Sequence, residues 1–142
     1  MQANDLIRAK RIEKGLSPDM LSEQSGMTAS EYADVEQHAD EIFTTVPAAK
    51  VKRLCTALDL PLEAILQVSP FANDLRDGGP QDIRVQRELL GLSTAEVAEA
   101  IGFEEAAVLK GEEQREYLDS LPIEVLAAWA KAIGVGVDAL TS

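Results

Sequence analysis

Apolar residues in the first half of the chain recur at the spacing of short amphipathic helices, with breaks at Gly and Pro. A first such segment runs from Asp5, a candidate N-cap, to about Lys14, where Gly15 ends it. Leu6 and Ile7, with the aliphatic stem of Lys10, lie on one side of that segment. The pattern predicts a helix there, and similar segments follow along the whole chain.

Capping residues mark the next two helices. Ser17 followed by Pro18 is typical of a helix start, and Thr28 with Glu31 forms a candidate capping box. Between them, Gly26 suits a tight turn that needs a positive φ. A third helix is expected through about Glu36, a fourth over about 46–58 and a short fifth after it. The buried side of the second helix is assigned to Met20 and Leu21.

The same pattern occurs twice. At a shift of 76 positions, residues 6–35 and 82–111 share identical residues at many capping, turn and charged positions. The matched residues of the first copy are Ile7, Arg8, Arg11, Gly15, Leu16, Ser17, Glu23, Gly26 and Glu36. One residue is then lost, and Pro47 and Leu54 align with Pro122 and Trp129. We therefore expect an all-α protein of two tandem five-helix units, 1–68 and 80–142, joined by a short linker at 69–79 that is rich in Gly and Pro.

Both copies resemble the phage-repressor helix-turn-helix family, also called the Cro/CI or XRE type. The resemblance rests on "IRAKRIEKGLSPDMLSEQSGM" and "IRVQRELLGLSTAEVAEAIGF", and on "VPAAKVKRLCTALDLPLEAIL" and "LPIEVLAAWAKAIGVGVDAL". It implies two lambda-repressor-like helix-turn-helix units. It also implies an ion pair in each unit between the first helix and the end of the third. The matching residues are Arg11 with Glu36 and Arg87 with Glu112.

The resemblance further implies which residues would read DNA: the first residue of the second helix and exposed residues of the third. These positions are Pro18, Ala29, Ser30 and Asp34 in the first unit and Thr94, Glu105, Ala106 and Lys110 in the second. Base edges are read by amide and guanidinium groups, and phosphates attract cations. Only Lys110 carries a positive charge, and Glu104 lies beside Glu105. The frame of the motif is present, but its reading residues are degenerate.

The charge of the chain points the same way. The formal net charge is −12, of which residues 1–70 carry −4 and residues 71–142 carry −8. Such a chain repels polyanions at long range. One group of cations on the first and fourth helices is a candidate phosphate-binding patch displaced from the third helix, and the alternative is solvated helix faces. The group comprises Arg8, Lys10, Lys14, Lys50, Lys52 and Arg53.

Other chemistry is weakly indicated. His38 lies with Asp40 and Glu41 in an acidic loop, which favours solvent over a metal ion. Cys55 is the one cysteine and lies among apolar positions, as a small buried residue would. We expect no catalytic, metal or cofactor site, no signal peptide and no membrane span, and therefore a cytoplasmic protein that is not an enzyme.

Three functions remain open. The first is a non-catalytic transcription-regulation protein whose acidic, degenerate units bind a protein partner, as an antirepressor or antiactivator does; that partner would itself be a DNA-binding regulator. The second is a sequence-specific DNA-binding regulator that uses the two units as an intrachain pseudo-dimer. The third is a DNA mimic whose carboxylates replace phosphates. The first is favoured, with DNA binding expected to be weak.

Overall fold

A computed structural model of the chain describes residues 1–75 and 82–141. Within these ranges the chain forms α-helices and one 3₁₀ turn, Ala72–Asp74, and contains no strand. The all-α class predicted from the sequence is confirmed. The chain divides into two compact units, Met1–Ala72 and Asn73–Ser142, which we call unit 1 and unit 2. None of the described helices is both long and apolar enough to cross a membrane.

Unit 1 is built around a core of aliphatic side chains. Ile7, Leu21, Val35, Val51 and Leu54 have no measurable solvent exposure. They come from four different helices, so each short helix contributes its apolar face to a shared core. The helices are α1 (Ala3–Glu13), α2 (Pro18–Ser25), α3 (Ala29–Gln37), α4 (Glu41–Thr44), α5 (Ala48–Ala57) and α6 (Leu62–Gln67).

Unit 2 repeats this order of helices around an aromatic centre. Trp129 is 1% exposed and packs directly on the backbone of Gly111. A Cβ at Gly111 would overlap Cη2 of the indole and would lie 3.1 Å from Cδ2 of Leu118. The helices are α7 (Ile83–Leu89), α8 (Thr94–Ile101), α9 (Glu105–Glu113), α10 (Arg115–Leu118), α11 (Ile123–Ile133) and α12 (Asp138–Thr141).

The caps predicted at Ser17 and Thr28 and the turns at Gly26 and Gly102 are confirmed. The hydroxyl of Ser17 accepts a hydrogen bond from the amide of Met20 at 3.1 Å, and Thr28 forms its capping box with Glu31. Gly26 and Gly102 end α2 and α8 at φ values of 75° and 74°. These left-handed residues let each helix reverse direction within a few residues, and a side chain there would be strained.

Two details at the start of unit 1 differ from the sequence prediction. The first helix begins at Ala3, and its N-cap is Gln2. Asp5 is the N3 residue of this helix, where its carboxylate accepts a hydrogen bond from the backbone amide of Gln2 in a capping box. Met20 is 47% exposed and not in the core. The reason is helical geometry, since α2 buries Leu21, Ser22 and Ser25 and turns the preceding position outward.

The prediction of five helices per unit was wrong, because each unit of the described chain has six. The additional helices are the single turns α4 and α10, each of which lies between the predicted third and fourth helices of its unit. Ile42 and Phe43 of α4 and Leu118 of α10 are buried. Two or three apolar side chains within one turn are too few to establish a periodic pattern, although they are enough to hold the turn against the core.

The predicted linker 69–79 begins too early. Ser69 is buried, and the ring of Phe71 packs edge-on against Phe43 with centroids 6.2 Å apart. Residues 68–72 therefore belong to unit 1, because an aromatic pair attaches them to its core. Residues 76–79 of the predicted linker lie outside the described residues.

Cys55 is expected to report the opening of unit 1. Its side chain is 3% exposed, and burial raises the pKa of the thiol to about 11. Because the thiolate is the reactive species, an aromatic disulfide reagent at pH 8 should label the native chain far more slowly than the chain in 6 M guanidinium. Labelling monitored by absorbance checks this. Equal rates in the two states would show that Cys55 is accessible in the folded unit.

Candidate functional site

The ion pair of unit 2 joins α7 to the end of α9. Arg87 Nε donates to Glu112 Oε2 at 2.6 Å, and Nη2 donates to Oε1 at 3.1 Å, so the pair is bidentate. The remaining donor Nη1 binds the carbonyl of Leu92 at 2.8 Å. The two side chains are only 11% and 3% exposed. Both carboxylate oxygens and three guanidinium nitrogens thus have partners, as burial of charge requires.

The matching pair of unit 1 belongs to a larger network. Arg11 Nε donates to Glu36 Oε1 at 2.5 Å, and the hydroxyl of Tyr32 donates to the same oxygen at 2.6 Å. Burial by itself would raise the pKa of Glu36. The hydrogen bonds from Arg11 and Tyr32 and the positive charges of Arg11 and Arg8 outweigh it and lower that pKa below its ordinary value. Glu36 is therefore held ionised at neutral pH.

Both pairs are architectural. Each connects the first helix of its unit to the last turn of the third helix, and neither leaves a charged group pointing to solvent. The arrangement fixes the angle at which α3 and α9 are presented. It also means that Arg11 and Arg87 are not available to contact a ligand.

The predicted reading positions of unit 1 form an exposed surface without positive charge. Pro18, Ala29, Ser30 and Asp34 are all exposed, at the start of α2 and along α3. A proline ring and an alanine methyl offer no hydrogen bond to a base edge, and the carboxylate of Asp34 repels phosphate. Of the four, only Ser30 could donate a hydrogen bond to DNA.

Three of the four predicted reading positions of unit 2 interact with other residues of the same unit. Thr94 Oγ1 donates to Glu105 Oε1 at 2.5 Å, which links the start of α8 to the start of α9. The ammonium of Lys110 lies 4.9 Å from the centroid of the Tyr117 ring, in cation–π distance. Ala106 is exposed between them. The surface that remains accessible has Glu104 and Glu105 at its edge and is acidic.

The candidate phosphate patch consists largely of cations that already have carboxylate or carbonyl partners. Arg8 Nη2 donates to the carbonyl of Glu36 at 2.6 Å, and Lys10 lies 3.2 Å from Glu13. Lys14 donates to Asp59 and Lys50 to Glu31, the latter at 3.1 Å. These two hydrogen bonds lower the pKa of Asp59 and of Glu31 below their ordinary values. Capture of a phosphate would have to compete with these internal anions.

Arg53 differs from the rest of the patch. It is exposed, and its guanidinium lies over Gly26, where a Cβ would overlap it. That position is the C-terminal end of α2, whose carbonyls favour a cation. Among the described residues Arg53 forms no ion pair, and it borders an open groove of about 420 Å³ together with Gln24 and Thr56. Lys52 also lines this groove, and it already takes part in a non-covalent interaction within the protein.

Two interactions of the site were not predicted from the sequence. Arg115, at the start of α10, donates to the carbonyl of Ala139 in α12. The hydroxyl of Tyr32 donates a second hydrogen bond to Glu36 Oε1, beside that of Arg11. The second has a signal in the sequence, since residues four apart on a helix face each other. The first has none, because α12 is distant in sequence.

The surface formed by the described residues favours a partner that donates hydrogen bonds and carries positive charge over one that accepts hydrogen bonds and carries negative charge. Among the described residues no group of His, Cys, Asp and Glu is arranged to hold a metal ion, and His38 with its acidic neighbours does not form one. A comparison of the chain with models of known protein families, with curated proteins and with solved structures finds no match. Function is therefore inferred from the surfaces themselves.

Proposed function

We propose that this chain is a non-catalytic transcription-regulation protein of the phage-repressor helix-turn-helix family, in which two degenerate units bind a protein partner instead of DNA. The observation that carries the proposal is the chemistry of the reading positions. Seven of those eight side chains carry no positive charge. The eighth, Lys110, lies against Tyr117.

The helix-turn-helix part of the proposal is supported by the same geometry in both units. A capped helix ends at a left-handed glycine, and a second helix follows within a few residues: α2, Gly26 and α3 in unit 1, and α8, Gly102 and α9 in unit 2. Helix pairs joined by a short turn with Gly are the form of this motif. The ion pairs attach the third helix of each unit to the first in the same way.

Electrostatics favour a protein over DNA as the partner. Binding to DNA is driven by cations that displace counterions from phosphates. Here Arg8, Lys10, Lys14 and Lys50 have partners within their own unit, so each would lose a favourable contact on meeting a phosphate. A partner with a cationic surface gains instead from Asp34, Glu104 and Glu105. A basic DNA-binding regulator has that chemistry, which makes an antirepressor- or antiactivator-like role the natural one.

The alternative is a sequence-specific DNA-binding regulator that uses the two units as an intrachain pseudo-dimer. Its support is the repeat itself, because dimeric readers of this class place two equal units on two half-sites. Arg53 would be the cation of unit 1 best able to reach a phosphate without breaking an ion pair.

DNA affinity separates the two functions. We expect fluorescence anisotropy with genomic fragments, including the region upstream of the chain's own gene, to show no complex tighter than about 10⁻⁵ M near physiological salt, which lies within the usual range of non-specific binding. The reason is that too few cations face outward. A nanomolar site with a steep salt dependence would establish the pseudo-dimer. Neutralising Arg53, the cation of unit 1 that forms no ion pair among the described residues, should then weaken it.

Partner capture tests the favoured function directly. The wild-type chain on beads should retain a basic DNA-binding protein from native cell extract. A variant with Asp34→Lys, Glu104→Lys and Glu105→Lys should not retain it, because the surface then carries the wrong sign. The matched control places the same charge change elsewhere, at Glu63, Glu116 and Glu124, all exposed. Equal retention by both variants would exclude these surfaces as the binding site.

A further inference from the structure

The outer face of α7 carries a stripe of exposed apolar side chains. Val85 is 49% exposed and Leu89 is 76% exposed, and residues four apart lie on one face of a helix. The opposite side of α7 attaches it to unit 2. There Ile83 is buried, Gln86 donates to the carbonyl of Ile133 at 3.3 Å, and Arg87 pairs with Glu112. The stripe therefore projects from a helix whose orientation is fixed.

Unit 1 shows that the fold does not need this stripe. At the shift of 76 positions, Val85 and Leu89 correspond to Ala9 and Glu13 on α1, both of which are exposed. The two helices have the same place in their units and the same ion pair to the third helix. The large apolar side chains of α7 are thus specific to unit 2 and are not explained by its core.

The charges beside the stripe make the face complementary to itself. Arg84 and Glu88 lie along one edge of the stripe, with Arg84 Nε 3.1 Å from Glu88 Oε1. When two identical helices pack antiparallel about a two-fold axis, the same edge of each helix meets. Arg84 of one copy then lies opposite Glu88 of the other, and Val85 lies opposite Leu89. In a parallel arrangement about a two-fold axis, opposite edges of the two helices meet, so Arg84 and Glu88 of one copy would not face those of the other.

We propose that α7 is a homodimerisation surface, on which a second copy of this chain packs its own α7 antiparallel. Val85 and Leu89 form the centre of the contact, and Arg84 and Glu88 form its edge. A helix of seven residues buries less than the roughly 1,200 Å² of a standard interface, so the dimer is weak and concentration-dependent. This inference does not depend on the proposed function.

Sedimentation equilibrium tests the surface. The weight-average mass of the wild type should rise from the 15.3 kDa of one chain towards twice that value between about 10 µM and 1 mM, the range in which a weak interface saturates. Leu89→Glu, which installs the residue of unit 1, should keep the chain monomeric. Ile12→Glu is the matched control, because Ile12 is a 62% exposed apolar residue on α1 of unit 1, and it should leave the dimer unchanged.

Charge reversal tests the geometry. Arg84→Glu and Glu88→Arg should each weaken the dimer several-fold, because each places like charges opposite one another. The double variant should restore it, since an antiparallel pair regains opposite charges. The fluorescence of Trp129 and far-UV circular dichroism check that each variant is folded.

Four results would overturn the proposal. They are a wild type that stays monomeric at millimolar concentration, a dimer that survives Leu89→Glu, a dimer equally lost with Ile12→Glu, and a double charge variant that does not recover. Loss of partner capture by Leu89→Glu in a chain that stays monomeric would assign the face to another protein.

Discussion

Replacing Trp129 by Ala is expected to lower the free energy of unfolding of unit 2 by about 3–5 kcal/mol. The indole is 1% exposed and is the largest fully buried side chain among the described residues. Removing it leaves a cavity between Gly111 and Leu118 that two short helices cannot close without moving. Urea denaturation followed by far-UV circular dichroism measures the loss. Leu109→Ala is the control, because Leu109 is 44% exposed and should cost within about 0.5 kcal/mol.

A second substitution shows whether the cost arises from the contact itself. Gly111→Ala in the wild type should cost about 1–3 kcal/mol, because the added methyl would overlap the indole. In the Trp129→Ala chain the same methyl has room, and the cost should largely disappear. If Gly111→Ala lowered the free energy of unfolding equally in the wild type and in the Trp129→Ala chain, the packing of Trp129 on Gly111 would be contradicted.

Replacing Glu112 by Ala is expected to cost about 3–5 kcal/mol, the loss typical when one partner of a buried ion pair is removed. The guanidinium of Arg87 would keep its bond to the carbonyl of Leu92 and lose both bonds to the carboxylate. With the side chain only 11% exposed, water cannot readily replace them. Denaturation followed by the fluorescence of Trp129 reports on unit 2, since the chain has one Trp.

The neighbouring Glu113 is the matched control for Glu112. It is exposed at the end of the same helix, and Glu113→Ala should change the free energy of unfolding by no more than about 0.5 kcal/mol. The double variant Arg87→Met with Glu112→Leu should recover most of the loss, because it leaves no unpaired charge. Equal small losses from Glu112→Ala and Glu113→Ala would show that the pair does not hold α7 to α9.

The ion pairs are the part of the candidate site that the sequence predicts best. Arg11 and Arg87 each lie 25 positions before a glutamate, in the same setting of turn glycines, and the structure joins both pairs. The prediction works because the repeat shows the same two charges twice. It does not extend to the carbonyl of Leu92, whose contact with Arg87 depends on where α7 ends.

The repeat does not predict which of the other cations form ion pairs with carboxylates. Lys14 and Asp59 are 45 positions apart, and Lys50 and Glu31 are 19 apart, yet each pair is joined by a hydrogen bond. A list of charges along the chain cannot tell a solvated lysine from one held by a carboxylate of another helix. The candidate phosphate patch is a cluster in the sequence, and in the structure most of it is a set of internal ion pairs.

The sequence by itself determined the helical class, the repeat, and the caps and glycine turns of the main helices. All of these depend on interactions between residues a few positions apart, such as Ser17 with Met20 or the left-handed φ of Gly26. The tertiary structure alone decided the burial of side chains outside the clear apolar pattern and the ion pairs other than the two that the repeat predicts. Met20 is outside, α4 and α10 are helical, and Arg115 binds the carbonyl of Ala139, because packing and ion pairing depend on distances between segments far apart in the chain.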